Sequence, residues 1–256
     1  MFNRNTDPLF QLIKSLGKSE KRNFKLFARR NVSSDELKTV QLFDALDKMH
    51  EYNEAILLRR NAAFSKSQLS NLKAQLYKQV LNSMRLLRTD NNIALQLHEL
   101  MDHARILYNK GLYLQSLKVL DKMKELAYEY QQSSYVQQAL FFEKKIEALY
   151  ITRSMRDRAA SLAQESDAVL HTLVLVNKLS SLSLQLYSWY IANGHARNEK
   201  DLQGLKIFFN QHLPAQAGES RGFYEQLYLQ QSYCWNAFIR LDFLQYYRHC
   251  RQWVDC

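Results

Sequence analysis

Apolar residues recur along this chain at spacings of three and four, the rhythm of one helix face after another. Leu37, Val40, Phe43, Leu46 and Met49 fall on one face. Ser33 and Glu36 ahead of them have the spacing of a capping box, so a helix is expected to run to about His50. Ser65 with Gln68 repeats that signature, and Leu69, Leu72, Leu76, Val80, Met84 and Leu87 then hold a long apolar stripe. Shorter helices are expected over 8–16, 19–30 and 53–61, the first opened by Pro8. Thr89-Asp90-Asn91-Asn92 breaks the pattern and marks a seam. The expected organisation is an N-terminal helical cluster over 1–90 and a helical array over 91–256.

Beyond Ile93 the pattern changes to long helices in pairs. Leu100 to Ala127 reads as two amphipathic helices folded back through a glycine turn at Gly111. Related turns are expected at Ser154, at Gly194 and near Leu241, at intervals of 43, 40 and 47 residues. They define helix pairs over 134–168, 177–213 and 219–256. In the first of these, Ala159, Ala160 and Ala163 are small enough for close helix contact. In the next, Tyr187, Trp189 and Tyr190 precede Asn193-Gly194, and Pro214 stops the last helix.

The residues around Gly111 resemble the tetratricopeptide repeat: Gly111 and Tyr113 at the turn, then Leu117, Leu120 and Met123 at packing positions, closing with Ala127. Ser116 stands where that family places a small residue at the helix crossing. Ala104 replaces its preferred glycine and Tyr128 its terminal proline. The chain thus resembles a degenerate member of the wider helical-hairpin superfamily, with longer units than the standard repeat of about 34 residues. The resemblance implies a right-handed α-solenoid of antiparallel helix pairs. The first helix of each pair would line a concave groove, presenting Asp102, Arg105, Tyr108 and Asn109 from one unit and Lys144, Lys145 and Thr152 from the next. Met101, Ser181 and Gln185 stand where carboxylate-gripping lysine and asparagine side chains would be expected in such proteins.

Composition agrees with an all-α fold. Six glycines and two prolines in 256 residues leave little room for hairpins or irregular loops, and 46% hydrophobic content with 12% aromatics can fill a sizeable core. No apolar run is expected to reach the length of a membrane span, and Met1–Phe10 lacks the pattern of a secretory signal, so the expected compartment is cytoplasmic, without membrane association. Cys234, Cys250 and Cys256 match no metal-ligand spacing, and their odd number suits reduced thiols.

Charge is uneven. Residues 1–90 carry 17 Lys and Arg against 9 Asp and Glu, +8 of the total +10. Lys18, Lys21, Arg22, Lys25 and Arg29 follow spacings of three and four, which at roughly 100° per residue gathers them on one helix face. Such a stripe suits either plain solvation or contact with phosphates or an acidic partner.

Catalytic chemistry is not indicated. His98 and His103 sit five positions apart, which turns their rings about 140° from one another on a helix and prevents one metal from taking both. Phosphate-cradling and nucleophile-elbow motifs are missing from the sequence. Glu143 and Glu147, one turn apart beside Lys144 and Lys145, read as surface ion pairs. The expectation is therefore a scaffold with no catalytic residue, cofactor or metal, binding a protein or peptide on its concave face. The alternative is a nucleic-acid-associated regulator that contacts phosphate through the basic stripe. Phe243, Leu244, Tyr246, Tyr247, Trp253 and Val254 make the last segment unusually apolar for a terminal helix, which suits a longer array or self-association through that helix.

Overall fold

The computed structural model describes residues 7–29, 34–60, 66–88, 92–149, 156–219 and 222–255. The capping serines Ser33 and Ser65, the seam at Thr89–Asn91, and Thr152, Ser154 and Cys256 lie outside the described residues. The fold is all-α. Twelve α-helices and a short 3-10 turn are found among the described residues. The chain divides into two compact units, Met1–Gln96 and Leu97–Cys256.

In the N-terminal unit, α1 (Pro8–Ser15) starts where Asp7 accepts a hydrogen bond from the Phe10 amide at 3.1 Å. Helix α2 (Lys18–Ala28) starts at Gly17, whose amide donates to the Glu20 carboxylate at 2.7 Å. Next come α3 (Ser34–Lys48), α4 (Glu54–Arg60, capped by Asn53) and α5 (Lys66–Arg88). Their apolar faces meet in one core. Ile13 of α1, Phe24 of α2, Phe43 and Leu46 of α3, Leu57 of α4 and Leu76 and Val80 of α5 are almost wholly removed from water. The Phe24 and Phe43 rings sit 4.5 Å apart at its centre.

The C-terminal unit holds most of α6 (Ile93–Asn109), then α7 (Tyr113–Glu129), α8 (Ser133–Leu149), α9 (Arg156–Asn193), α10 (Glu199–His212), α11 (Phe223–Ile239) and α12 (Phe243–Val254). Three connections reverse the chain by one device. After α6 the Gly111 amide donates to the Tyr108 carbonyl and the Leu112 amide to Leu107; after α7 Gln131 and Gln132 repeat this on Tyr128 and Ala127; after α11 Leu241 and Asp242 repeat it on Phe238 and Ala237. This is the Schellman closure, and it needs a left-handed residue at its hinge. Gly111, Gln131 and Leu241 take that conformation, with φ of 76°, 52° and 60°. The turns expected at Gly111 and near Leu241 are present, and Gly194 ends α9 with a φ of 73°. The break expected between the pair closing at Ala127 and the pair over 134–168 is present too, hinged on Gln131 with no glycine to announce it.

Helix α9 corrects the expected pairing. It runs unbroken for 38 residues, so the second helix expected over 134–168 and the first expected over 177–213 are one element. Nothing between Ala168 and Asn177 breaks a helix. Leu162, Ser166 and Val169 are buried on one face of its first half, and Leu175, Leu179, Leu182 and Leu186 on a different face of its second half. The interval between the expected turns at Ser154 and Gly194 is therefore one long helix, not a pair. Ala159, Ala160 and Ala163 face solvent; the close contact with α8 is made instead by Ser166, whose hydroxyl accepts from Gln137 Nε2 at 3.1 Å. Arg158–Asn193 is long and apolar enough, by length and composition alone, to cross a membrane. Part of its apolar surface packs on α8, α10 and α11, while Leu170, Val174, Leu184 and Ile191 stay exposed.

Candidate functional site

Helices α7, α8, α9 and α11 of the C-terminal unit surround a cleft of about 720 Å³. Its rim is the α7–α8 turn, Gln131 to Ser134. One wall is α9 from Glu165 to Val176, and the far side is the start of α11 at Gly222, Tyr224 and Glu225. Two side chains of the turn tie these distant parts together: Gln131 Oε1 accepts from the Phe223 amide at 2.6 Å, and Gln132 Nε2 donates to the Tyr224 hydroxyl at 3.1 Å. The left-handed hinge at Gln131 aims both amides at α11.

An ion network built on the buried Lys124–Glu143 pair lies behind the cleft. Lys124 of α7 donates to Glu143 of α8 at 2.7 Å, with Asp121 at 3.5 Å and Glu165 of α9 at 3.8 Å, while Arg158 of α9 pairs with the other Glu143 oxygen. Two cations face three carboxylates, leaving one negative charge in excess. Glu165 carries the network to the cleft wall, where its Oε1 accepts from the Tyr128 hydroxyl at 2.9 Å. Burial pushes the Tyr128 phenol up, and the Glu165 hydrogen bond and charge push it further, so Tyr128 remains a donor across the physiological range. Among the described residues, no lysine or arginine lines the cleft. Apolar Val169, Leu175 and Val176 alternate with hydroxyl, amide and imidazole groups of Ser133, Ser134, Gln132, His171 and Thr172. Such a wall can take apolar side chains and hydrogen-bond an extended backbone at once.

The expected groove residues are placed differently from one another. Tyr108 packs its ring against Tyr113 at 5.4 Å and Phe142 at 5.3 Å, and Lys145 Nζ lies 4.6 Å above it, so α6 and α8 do bring these two together. Lys144 lies over Phe141, on its own helix. Arg105 is 4.0 Å from Asp102, one turn away, and Asn109 is exposed at the end of α6. Glu143, expected on the surface beside Lys144 and Lys145, is instead 1% exposed. Its partners come from α7 and α9, because residue 143 faces inward between them. His98 meets the Tyr135 hydroxyl at 3.1 Å, whereas His103 lies 3.9 Å from Glu99, so the two imidazoles have separate partners.

In the N-terminal unit, Lys18, Lys21, Arg22, Lys25 and Arg29 line one shallow depression together with Leu26. Helix α3 answers two of the five: Lys21 meets Asp47 and Lys25 meets Asp44, each at 2.6 Å. Neither a protein-family model nor a curated protein nor a solved structure matches this chain.

Sequence reasoning missed the cleft because its two sides lie about ninety positions apart; Gln131 and Phe223, which join them, differ by 92. The one available signal was Gln131-Gln132-Ser133-Ser134, a polar interruption between the packing residues Ala127 and Val136.

Proposed function

We propose that this protein is a non-enzymatic scaffold, and that it holds an extended segment of a partner protein in the cleft among α7, α8, α9 and α11. The observation that carries this reading is the lining itself: a peptide-sized cleft with mixed apolar and hydrogen-bonding walls, two carboxylates at Glu165 and Glu225 and, among the described residues, no lysine or arginine. A segment bearing a lysine or arginine would complement it, placing the cation against Glu165 and apolar neighbours on Val169 and Leu175. The finer architecture belongs to the same proposal. Tyr108–Phe142 and His98–Tyr135 set α6 beside α8, and Tyr128–Glu165 sets α7 beside α9, which is how stacked helix pairs of a solenoid would meet.

Selection of peptides from a displayed random library on the full chain tests this. Enriched peptides should carry Lys or Arg, and Glu165→Gln or Thr172→Arg should weaken them about tenfold or more with the fold intact by circular dichroism. Peptides indifferent to both substitutions would sink the cleft. Sensitivity to Arg105→Glu and Lys145→Glu instead would move the site to the α6–α8 face.

One observation favours a second reading, contact with a polyanion. The four cations of α2 and Arg29 just after it open on one surface depression. With Lys21 and Lys25 already answered by aspartates, binding to generic DNA or RNA would be weak and would fall steeply with salt. Charge reversal of Lys18, Arg22 and Arg29 should abolish it; no binding at low salt would remove this reading.

A further inference from the structure

The last hairpin of the C-terminal unit brings two thiols together. Cys234 is buried on α11 and Cys250 half-buried on α12, and their sulfurs stand 3.5 Å apart, both as free thiols. The odd cysteine count suggested reduced thiols; it gave no hint that two of them would face each other across a helix pair.

Helix α12 is the element with most to gain from a bond there. It buries none of its residues and leaves Phe243, Leu244, Tyr247 and Val254 open to water. Its inner side rests on α11 through partly covered contacts, Tyr246 on Phe238 at 5.5 Å and His249 stacked on Tyr233 at 4.7 Å, with His249 Nδ1 2.8 Å from Gln230 Oε1. A helix held in this way opens at low cost.

We propose that Cys234 and Cys250 form a thiol-oxidation site, at which a small disulfide oxidant converts the pair to an intramolecular disulfide that staples α12 to α11. The order of events follows from exposure. Cys250, nearer solvent, attacks first as a thiolate: its sulfur bonds to one sulfur of the oxidant, the oxidant's S–S bond breaks, and one small thiolate leaves and takes up a proton. Cys234 then gives its proton to solvent and attacks the Cys250 sulfur, expelling the second small thiol. Two protein thiols lose two electrons and two protons, and the oxidant is reduced to two thiols. Burial, with the Cys250 neighbour adding to it, pushes the Cys234 thiol up to about 12. The second step is therefore the slow one, and the mixed disulfide on Cys250 should accumulate before it resolves. The sulfurs close from 3.5 Å to a bond of about 2.05 Å, a movement within reach of side-chain rotation and a small shift of α12.

The test uses the full chain with oxidised glutathione at neutral pH, quenched in acid and read by intact mass and peptide mapping. The expected result is a transient glutathione adduct on Cys250, then loss of two hydrogens and a linked peptide joining Cys234 to Cys250, all reversed by dithiothreitol. Cys256→Ser should behave like the unaltered chain. Cys250→Ser should form neither product, and Cys234→Ser should stop at the adduct. Hydrogen exchange over Phe243–Val254 should slow by about tenfold or more on oxidation. A lasting adduct in the unaltered chain, a bond to Cys256 in place of Cys234, or a linked peptide that leaves α12 exchange unchanged would each overturn the proposal. The unaltered chain carries the main readouts, so misfolding of a serine variant does not blunt the test.

Discussion

Lys21 and Lys124 meet a carboxylate at nearly the same distance, 2.6 Å to Asp47 and 2.7 Å to Glu143, yet the two pairs do different work. The Lys21 pair keeps about a quarter of each side chain in water, at 25% and 26%, whereas the Lys124 pair retains only 9% and 1%. Water screens the first, and exposed pairs of that kind contribute about 0–1 kcal/mol. The second has lost its hydration, so each charge depends on the other for its place in the interior. Identical chemistry is thus screened at Lys21 and desolvated at Lys124, whose network also reaches the cleft through Glu165.

The sharpest way to break that contrast is to remove one partner of the buried network. Lys124→Met or Glu143→Leu should each cost up to about 3–5 kcal/mol in denaturant unfolding, because a buried charge loses its nearest partner and keeps only Arg158, or only Asp121 and Glu165. The double variant should cost less than the two singles together. A loss below about 1 kcal/mol in both singles would mean that water reaches the network after all.

A change without charge calibrates the scale. The three Schellman turns share one backbone geometry, and at Gly111 an added Cβ would meet nothing within 4 Å. Gly111→Ala should therefore cost about 1 kcal/mol through its φ of 76° alone, and Leu241→Gly should recover up to about 1 kcal/mol by relieving the same conformation. Thermal melts of both variants check this.

The exposed side of the comparison should be nearly silent. Asp47→Asn is expected to change stability by no more than about 1 kcal/mol, with the difference shrinking in salt; a larger effect would give the surface pair a structural role.

The smallest effect is a pH dependence. Burial lowers His249 below its ordinary value of 6.5, so the unfolded chain takes up that proton first as pH falls. Stability at α12 should be full above the ordinary histidine range and decline as pH falls through it toward the lowered folded value. Hydrogen exchange of α12 against pH reads this, and His249→Gln should flatten the profile.

Most of the N-terminal unit was legible because its helices announce themselves locally. Expected helices over 8–16, 19–30 and 53–61 correspond to Pro8–Ser15, Lys18–Ala28 and Glu54–Arg60, each with a side-chain cap at its start: Asp7, Glu20 reaching back to Gly17, and Asn53. In the C-terminal unit the glycines at 111 and 194 were equally plain. Gln131 was less so, since its only mark is the polar run it opens and no glycine flags its left-handed conformation. Helix α9 was misread because a repeat interval and the length of one long helix happen to coincide. Glu143 was misread because its sequence neighbours Lys144 and Lys145 are not its partners.

The sequence by itself determined that the chain is helical and where most helices begin and end, since spacing, capping residues and glycine hinges act over a few positions. Only the tertiary structure decided which charges lose their water, which faces of α9 are consumed by neighbours, and that Gln131 meets Phe223 and Cys234 meets Cys250. Burial and proximity are properties of the packed neighbours around a side chain, and those neighbours come from far away along the chain.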